Sequence, residues 1–377
     1  MRLTARELNR ATLARQLLLG RQALDVAEAV RRLVAVQAQH AASPYLALWN
    51  RVAGFDPADL DAAFANRKVV KATLLRITLH AVHAEDYPHF HEAMQPSLRA
   101  ARLGDRRFTS SGITAADADG LIGELLGFAA EPRSNAEMMA WIEARLGVPP
   151  KGVWWAVRSY APLLHAVTGG PWSFGERPAY IAAGIPPTVG EAADQALRTL
   201  VLRYLEAYGP ASVADVAQFA LVTRSRVRGA LNDLAGGLER LTGPDGTELF
   251  DLPGAPRPAA DTPAPPRLLP MWDNVLLAYA DRSRVIPPGY RKLVTRVNGD
   301  VLPTLLVDGQ VAGVWRRVEE GIETTAFHPL PRETWDELAD EARALMALLA
   351  DREPEVYRRY KHWWSALPGA EVRILAD

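Results

Sequence analysis

Near residue 68 the apolar pattern changes period, and the same change recurs twice further along the chain. Residues 5–18 and 25–36 carry the spacing of amphipathic helices, Pro44 opens a third and Asp56-Pro57 caps a fourth. The stretch 69–82 is then rich in β-branched residues and partly alternates, as one or two strands do. Helices followed by a short hairpin is the order of a winged helix. A second round follows: a helix from Thr114 to Phe128, a capping box at Ser134–Glu137 opening another to Arg145, a third at 151–158, and strands at 163–168 and 171–181. A third round runs through a helix over 190–208 stopped by Gly209-Pro210, short helices capped at Ser212 and opened at Thr223, and strands at 238–242 and 247–252. Units of roughly 70–100 residues are too long for a solenoid repeat. The expected fold is therefore α+β: winged-helix modules at 1–110, 111–188 and 189–260, then a β-rich domain at 261–377.

That last part begins with a Pro- and Ala-rich stretch at 253–270, a linker or an extended loop. Strands are expected at 275–279, 289–297, 302–307 and 310–317, with Asp308-Gly309 as a tight turn. Helices are expected at 332–350 and 353–364, and a strand ends the chain.

Composition excludes several chemistries. The 377 residues include no Cys, so disulfides, thiolate zinc sites and iron–sulfur clusters are out. Net charge is −1, so no global field draws the chain onto nucleic acid or membrane, although local basic patches remain open to it. No signal peptide opens the sequence, and no apolar run approaches the roughly 18 residues of a membrane span, so a soluble, cytoplasmic protein is expected.

Candidate chemistry is sparse. No phosphate loop, nucleophile elbow or zincin motif is present. His80, His83, His89 and His91 stand near Glu85 and Asp86, but their spacing suits no standard ligand set, and neither metal nor cofactor is expected. Asp273, Asp281 and Arg282 fit turn and structural roles. Arg99, Arg102, Arg106 and Arg107 form a small basic patch or a solvated linker. Arg224, Arg226 and Arg228 open the second helix of the third unit, where a helix-turn-helix meets DNA, or line a solvated helix end. Arg316 and Arg317, behind Trp315, are further candidates for phosphate contact.

The remaining feature is Val36-Gln37-Ala38-Gln39. Asp25 and Glu28 cap a helix whose apolar stripe, Val26, Val30, Leu33 and Val34, has Gln37 as its next member. Side chains two apart diverge on a helix and share a face in extended chain. Two amides acting on one target therefore require residues 37–39 to be extended or irregular. The competing reading makes Gln37 a helix-ending amide satisfied by backbone and Gln39 a solvated one.

Gln37-Ala38-Gln39, Pro44–Trp49, Leu75–His80, Tyr87-Pro88, Pro270–Asn274, Asp281–Arg284, and Val307–Gly309 with Gly313–Arg316 together resemble the AlkZ/YcaQ winged-helix DNA glycosylase superfamily, nearly end to end. Within it, Gln-apolar-Gln marks the AlkZ branch and Gln-apolar-Asp the YcaQ branch, so Gln39 fits the former. The resemblance implies three tandem winged helices and a β domain in a C-shaped scaffold around duplex DNA. It also implies excision of alkylated purines and unhooking of interstrand crosslinks such as those of azinomycin B, with Gln37 and Gln39 as the catalytic pair.

Two amides suffice only for a suitable substrate. A Gln amide takes no proton at neutral pH but offers an acceptor and two donors. A purine alkylated on an imidazole-ring nitrogen is already cationic and departs neutral without a general acid. Placing water and steadying the oxocarbenium-like sugar remain, and both are recognised catalytic terms. A monofunctional glycosylase acting as a monomer on alkylated or crosslinked duplex DNA follows. Its cleft should be shallow, because a crosslinked base cannot rotate freely into a deep pocket. The Asp308-Gly309 hairpin is the expected groove probe. The alternatives are a non-catalytic winged-helix DNA-binding regulator and a drug-sequestering resistance protein.

Overall fold

The computed structural model describes residues 1–185 and 192–375. The first third follows the sequence closely: α1 (Ala5–Arg15), α2 (Val26–Arg32), β1 (Val36–Gln37), α3 (Ser43–Trp49), α4 (Pro57–Ala65), β2 (Val69–Thr73) and β3 (Leu79–His83). Thr4 and Glu7 close a full capping box on α1. Asp25 caps α2 alone, since Glu28 turns to Arg31 and Arg32. α2 stops four residues short of the expected end. Val34 adopts a left-handed φ of 69°, and the chain leaves the helix as strand.

β1, β3 and β2 form an antiparallel sheet in that order. Gln37 pairs with His80, which pairs with Ala72; Val36 pairs with Ala81, which pairs with Lys71. Opposed residues share a face. Val36, Ala81 and Val69 join one apolar core with α1–α4 and the C-terminal part, whereas Val70, Ala72 and Val82 join a second core with the middle of the chain. The sheet is thus walled on both sides, which explains why its sequence is β-branched without clean alternation. The two cores cut across the expected domain boundaries.

The middle of the chain comprises α5 (Tyr87–Leu103), α6 (Arg106–Thr109), α7 (Ala115–Gly120), α8 (Ile122–Phe128), β4 (Arg133–Ser134), α9 (Asn135–Leu146), α10 (Lys151–Tyr160), β5 (Leu163–His165) and β6 (Ala179–Ala182). Most of 171–181 is loop, with strand only at its end. Next come α11 (Ala192–Tyr208), α12 (Val213–Ala220), α13 (Arg224–Asp233) and the hairpin β7 (Glu239–Thr242)–β8 (Glu248–Asp251). The start expected for α11, residues 190–191, lies outside the described residues.

A five-stranded antiparallel sheet in the order β13-β12-β11-β10-β9 completes the fold: β9 (Arg267–Leu269), β10 (Thr304–Val307), β11 (Gln310–Val318), β12 (Gly321–Ala326) and β13 (Glu371–Leu375). The strands expected at 275–279 and 289–297 are short helical turns at Asn274–Leu276, Pro288–Tyr290 and Arg291–Val294. Asp273 caps the first, and Pro287-Pro288 removes the donors a ladder would need. β12 is a strand the sequence reading missed. Residues 332–350 form the expected helix, and the following one is a 3₁₀ stretch at Arg358–Ala366.

Two buried ion pairs fasten distant parts of the chain. Arg15 on α1 makes a bidentate pair with Asp251 on β8 at 2.7 and 2.9 Å, and Arg51 pairs likewise with Asp273 at 2.8 and 2.7 Å. Removing one partner strands a charge in the interior, so Asp251→Ala is expected to cost about 3–5 kcal/mol, read by urea unfolding. Four histidines are held neutral by burial: His40 and His91 pushed down to about 4, His165 to about 3, and His80 well below its usual range. A histidine with a depressed folded pKa binds its proton first in the unfolded chain. Stability from these groups is therefore present above about pH 6.5 and lost as pH falls below it, by up to about 1.4 kcal/mol per pH unit per histidine. Thermal midpoints should drop from pH 6.5 to 4.5, and the drop should be shallower in His91→Gln.

Candidate active site

A cleft of about 940 Å³ lies where three parts of the chain meet. Lys71 and Thr73 come from the first sheet and Gln39, His40 and Thr78 from the turns at its strand ends; Arg102, Arg158, Ser159 and His165 come from α5, α10 and β5; Glu353, Arg358 and Arg359 from the C-terminal part. Lys71, Arg102, Arg158 and Arg359 have no ion pair among the described residues, whereas Arg358 pairs with Glu355 at 3.2 Å. Of the carboxylates on the lining, Glu353 accepts from Trp172 Nε1 at 2.6 Å and Glu176 is exposed.

The two glutamines do not open onto one space. Residues 37–38 are extended, and Ala38 N–H donates to Leu79 O at 2.8 Å, but the strand ends at Gln37 and the chain bends at Gln39 and His40. Gln39 is exposed and lines the cleft, its Oε1 accepting from Leu79 N–H at 3.4 Å. Gln37 is 3% exposed and shares a face with His80 and Ala72, opposite the face of Lys71 and Thr73. The stretch is thus extended at Gln37 and irregular at Gln39, with the first amide buried and the second on the cleft.

Arg76 fixes Gln37. Its Nη2 donates to Gln37 Oε1 at 3.3 Å, His80 Nε2 at 3.1 Å and Asn274 Oδ1 at 3.3 Å, and its Nη1 donates to Phe219 O at 3.3 Å. A guanidinium only donates, so the Gln37 atom facing it is the carbonyl oxygen and the His80 nitrogen facing it is bare. His80 Nδ1 therefore carries the proton and donates to Thr78 O at 3.1 Å. Among the described residues no carboxylate pairs with Arg76. Burial pushes its guanidinium down to about 10, still charged at neutral pH. Arg76 and Ile77 both take left-handed φ values, 53° and 57°. For a β-branched residue such as Ile77 that is strained backbone, held here by its surroundings. Thr78 links the layers: its Oγ1 is 3.4 Å from Gln37 Oε1, and the residue lines the cleft.

The other candidate residues fall in different places. Arg224 and Arg228 are exposed at the start of α13 with no ion pair among the described residues, while Arg226 is taken by Asp194 at 2.8 Å. Arg316 pairs across the sheet with Glu323 at 2.7 Å, and Arg317 donates to the Glu319 and Gly321 carbonyls, so both serve the β11–β12 hairpin. Asp308-Gly309 is seated on α1 rather than projecting as a probe. Asp308 pairs with Arg6 and Arg10, and a side chain at Gly309 would collide with Asn9, Leu13 and Arg10. His80 and His91 are buried apart, and among the described residues no group of three or more His, Asp or Glu could hold a metal ion. No helix among them is long and apolar enough to cross a membrane. Sequence reasoning gave no roles to Arg76, Thr78 and Asn274 around Gln37, nor to Lys71, Arg158 and Arg359 on the cleft. The signal for the first three lay in the segments 75–80 and 270–274, which the fold brings to the glutamines.

A family model described as DNA glycosylase AlkZ-like matches residues 30–348. An interstrand DNA cross-link repair glycosylase of Streptomyces sahachiroi is 30% identical over 140 residues, 36% of this chain, and the aligned stretch spans 38% of that relative's length. The solved structure of Streptomyces sahachiroi DNA glycosylase AlkZ has the same fold, with a TM-score of 0.79 at 21% identity, covering 94% of this chain and 99% of that one. The family model takes in the glutamines, the Arg76 network and strands β9–β12 and ends in the last turn of the helix at 332–350, and the chain belongs to the AlkZ-like family.

Proposed function

We propose that this protein is a DNA glycosylase that hydrolyses the N-glycosidic bond of cationic alkylated purines of the 7-alkylguanine type, including those tied into interstrand crosslinks such as azinomycin B adducts. The observation that carries the reading is Gln39 on the wall of a cleft whose lining cations mostly lack acid partners. Uncompensated cations suit a polyanion. No carboxylate hydrogen-bonds either glutamine among the described residues. That suits a leaving group that needs no proton: the bonding electrons return to the cationic ring, the base departs neutral, and the positive charge passes to the sugar.

In this mechanism Gln39 meets the substrate. Its amide orients water toward the anomeric carbon, and its dipole steadies the sugar cation without reorganising. Gln37 acts from behind. It holds Arg76 and Thr78, and with them the end of the sheet from which Gln39 projects. Arg102, Arg158 and Arg359 hold phosphates, with Arg224 and Arg228 as a second contact on the duplex.

The test is release of free base and an abasic site from duplex carrying 7-methylguanine or a native crosslink. Gln39→Ala should lower turnover about 10²–10³-fold, the scale of losing one preorganised dipole, with little change in stability. Gln37→Ala should lose turnover and also destabilise by about 1–3 kcal/mol, because Arg76 loses a buried acceptor. Glu176→Gln should leave turnover intact; a loss equal to that of Gln39→Ala would mean that a carboxylate does the work. Duplex binding should weaken as salt rises, and Arg359→Ala should reduce the slope of log K against log salt by about 1 whatever the sequence. Release of uracil or unmodified guanine at comparable rate would contradict the cationic-substrate reading.

A further inference from the structure

Lys71 sits on the cleft wall beside Thr73, on the face of the sheet away from Gln37. The residue is 7% exposed, and its ammonium lies 4.3 Å over the Phe174 ring. A ring face attracts the charge, but it leaves the three N–H donors without lone pairs to meet. Among the described residues Lys71 makes no hydrogen bond and no ion pair; of the carboxylates on the lining, Glu353 accepts from Trp172 and Glu176 is exposed. A buried charge whose donors find no acceptor is costly until an oxyanion completes it. The groups around it add donors and no negative charge. His40 faces Lys71 and Arg359, and His165 faces Lys71 and Arg158, both imidazoles being neutral. Ala42 N–H donates to His40 Nδ1 at 3.2 Å, so the proton of that neutral ring is on Nε2, a donor with no partner among the described residues.

Thr73, two residues from Lys71 on the same face of β2, pairs with Leu79, whose N–H donates to Gln39. Lys71 therefore stands roughly 7 Å along the sheet from the level of Gln39. We propose that Lys71 is the centre of a phosphate site inside the cleft, which takes the oxyanion of one phosphodiester flanking the lesion and sets the register that brings C1′ of the damaged nucleotide to Gln39. The inference rests on the glycosylase reading for its ligand. Arg359 is exposed and can meet any phosphate that passes; a buried ammonium meets only one that enters the cleft. Burial pushes the ammonium down to about 8, so it is mostly protonated at neutral pH, and the Phe174 ring favours that charged form. An oxyanion binds the protonated form alone. Affinity owed to Lys71 is therefore full below about pH 8 and fades as pH climbs past that value. The charged groups that share the lining, Arg158, Arg359, Glu176 and Glu353, belong to classes that do not titrate there, and His40 and His165 are already neutral.

A duplex carrying a tetrahydrofuran abasic analogue has no glycosidic bond, so its binding is read apart from base release. Methylphosphonate linkages, placed one at a time, remove the charge of single phosphates. In the wild type, one linkage flanking the analogue should weaken binding by roughly 10–100-fold, the scale of one hydrogen bond to a charged group. Lys71→Met, which keeps the packing on Phe174, should show that loss on unmodified duplex and no further loss from that methylphosphonate. Lys68→Met, at an exposed lysine, should behave as the wild type. Lys71→Arg should restore affinity and hold it above about pH 8, where the wild type weakens. No binding of the analogue duplex, a flat scan in the wild type, or a Lys71→Met variant that still responds to the same linkage overturns the proposal. Inorganic phosphate that raises the thermal midpoint of the wild type but not of Lys71→Met, together with a flat scan, would assign the site to free phosphate and also overturn it. The scan uses the wild-type chain, so it decides the matter even if a variant does not fold. A positive scan without release of 7-methylguanine would count against the glycosylase alone.

Discussion

A three-stranded sheet with apolar walls on both faces governs the placement of every group discussed above. Successive residues of a strand alternate between its faces, so a position on β1 or β2 belongs either to the middle core or to the side that carries the cleft. Gln37, Ala72 and His80 take the first option, Lys71 and Thr73 the second. The bend after Gln37 then sends Gln39 to the cleft side. Had β1 run two residues further, both glutamines would have been buried in the same core. The shortness of this strand is thus a functional feature, set by the left-handed turn at Val34 before it and the bend after it.

Electrostatics divides along the same line. On the buried side a single guanidinium, Arg76, is solvated by an amide oxygen, an imidazole nitrogen, an asparagine oxygen and a main-chain carbonyl rather than by a carboxylate. Neutral acceptors keep the arginine charged, and among the described residues no carboxylate hydrogen-bonds Gln37. On the cleft side Lys71, Arg102, Arg158 and Arg359 have no ion pair among the described residues, at a cost in self-repulsion that an incoming polyanion would offset. Elsewhere, two buried bidentate pairs, Arg15 with Asp251 and Arg51 with Asp273, hold the N-terminal helices against β8 and against the segment that follows β9.

Much of the first 250 residues was legible because local rules act over a few residues. Capping boxes at Ser134 and Ser212 start their helices where the pattern places them, and the β-branched run at 69–82 becomes β2 and β3 around a turn. Legibility fell where long-range contacts overrule propensity. Val275–Tyr279 has strand composition, yet Asp273 turns away to pair with Arg51, more than two hundred residues earlier, and caps a helical turn instead. The Asp308-Gly309 turn is a good hairpin signal, and the hairpin is there, but Gly309 packs against α1 while Asp308, still exposed, is tied to Arg6 and Arg10.

The chain by itself thus determined the α+β character, the positions of most helices and the short extended segment that carries Gln37, since capping and periodicity need only near neighbours. It also marked 37–39, 75–80 and 270–274 as segments of one kind of protein. Only the tertiary structure decided that Gln37 faces inward and Gln39 outward, that Arg76 and Asn274 meet at Gln37, and that Lys71, stacked on Phe174, shares the cleft with Gln39. Which face a residue takes depends on where its strand ends. Which partners it meets depends on chain segments tens to hundreds of residues away, and no local pattern encodes either.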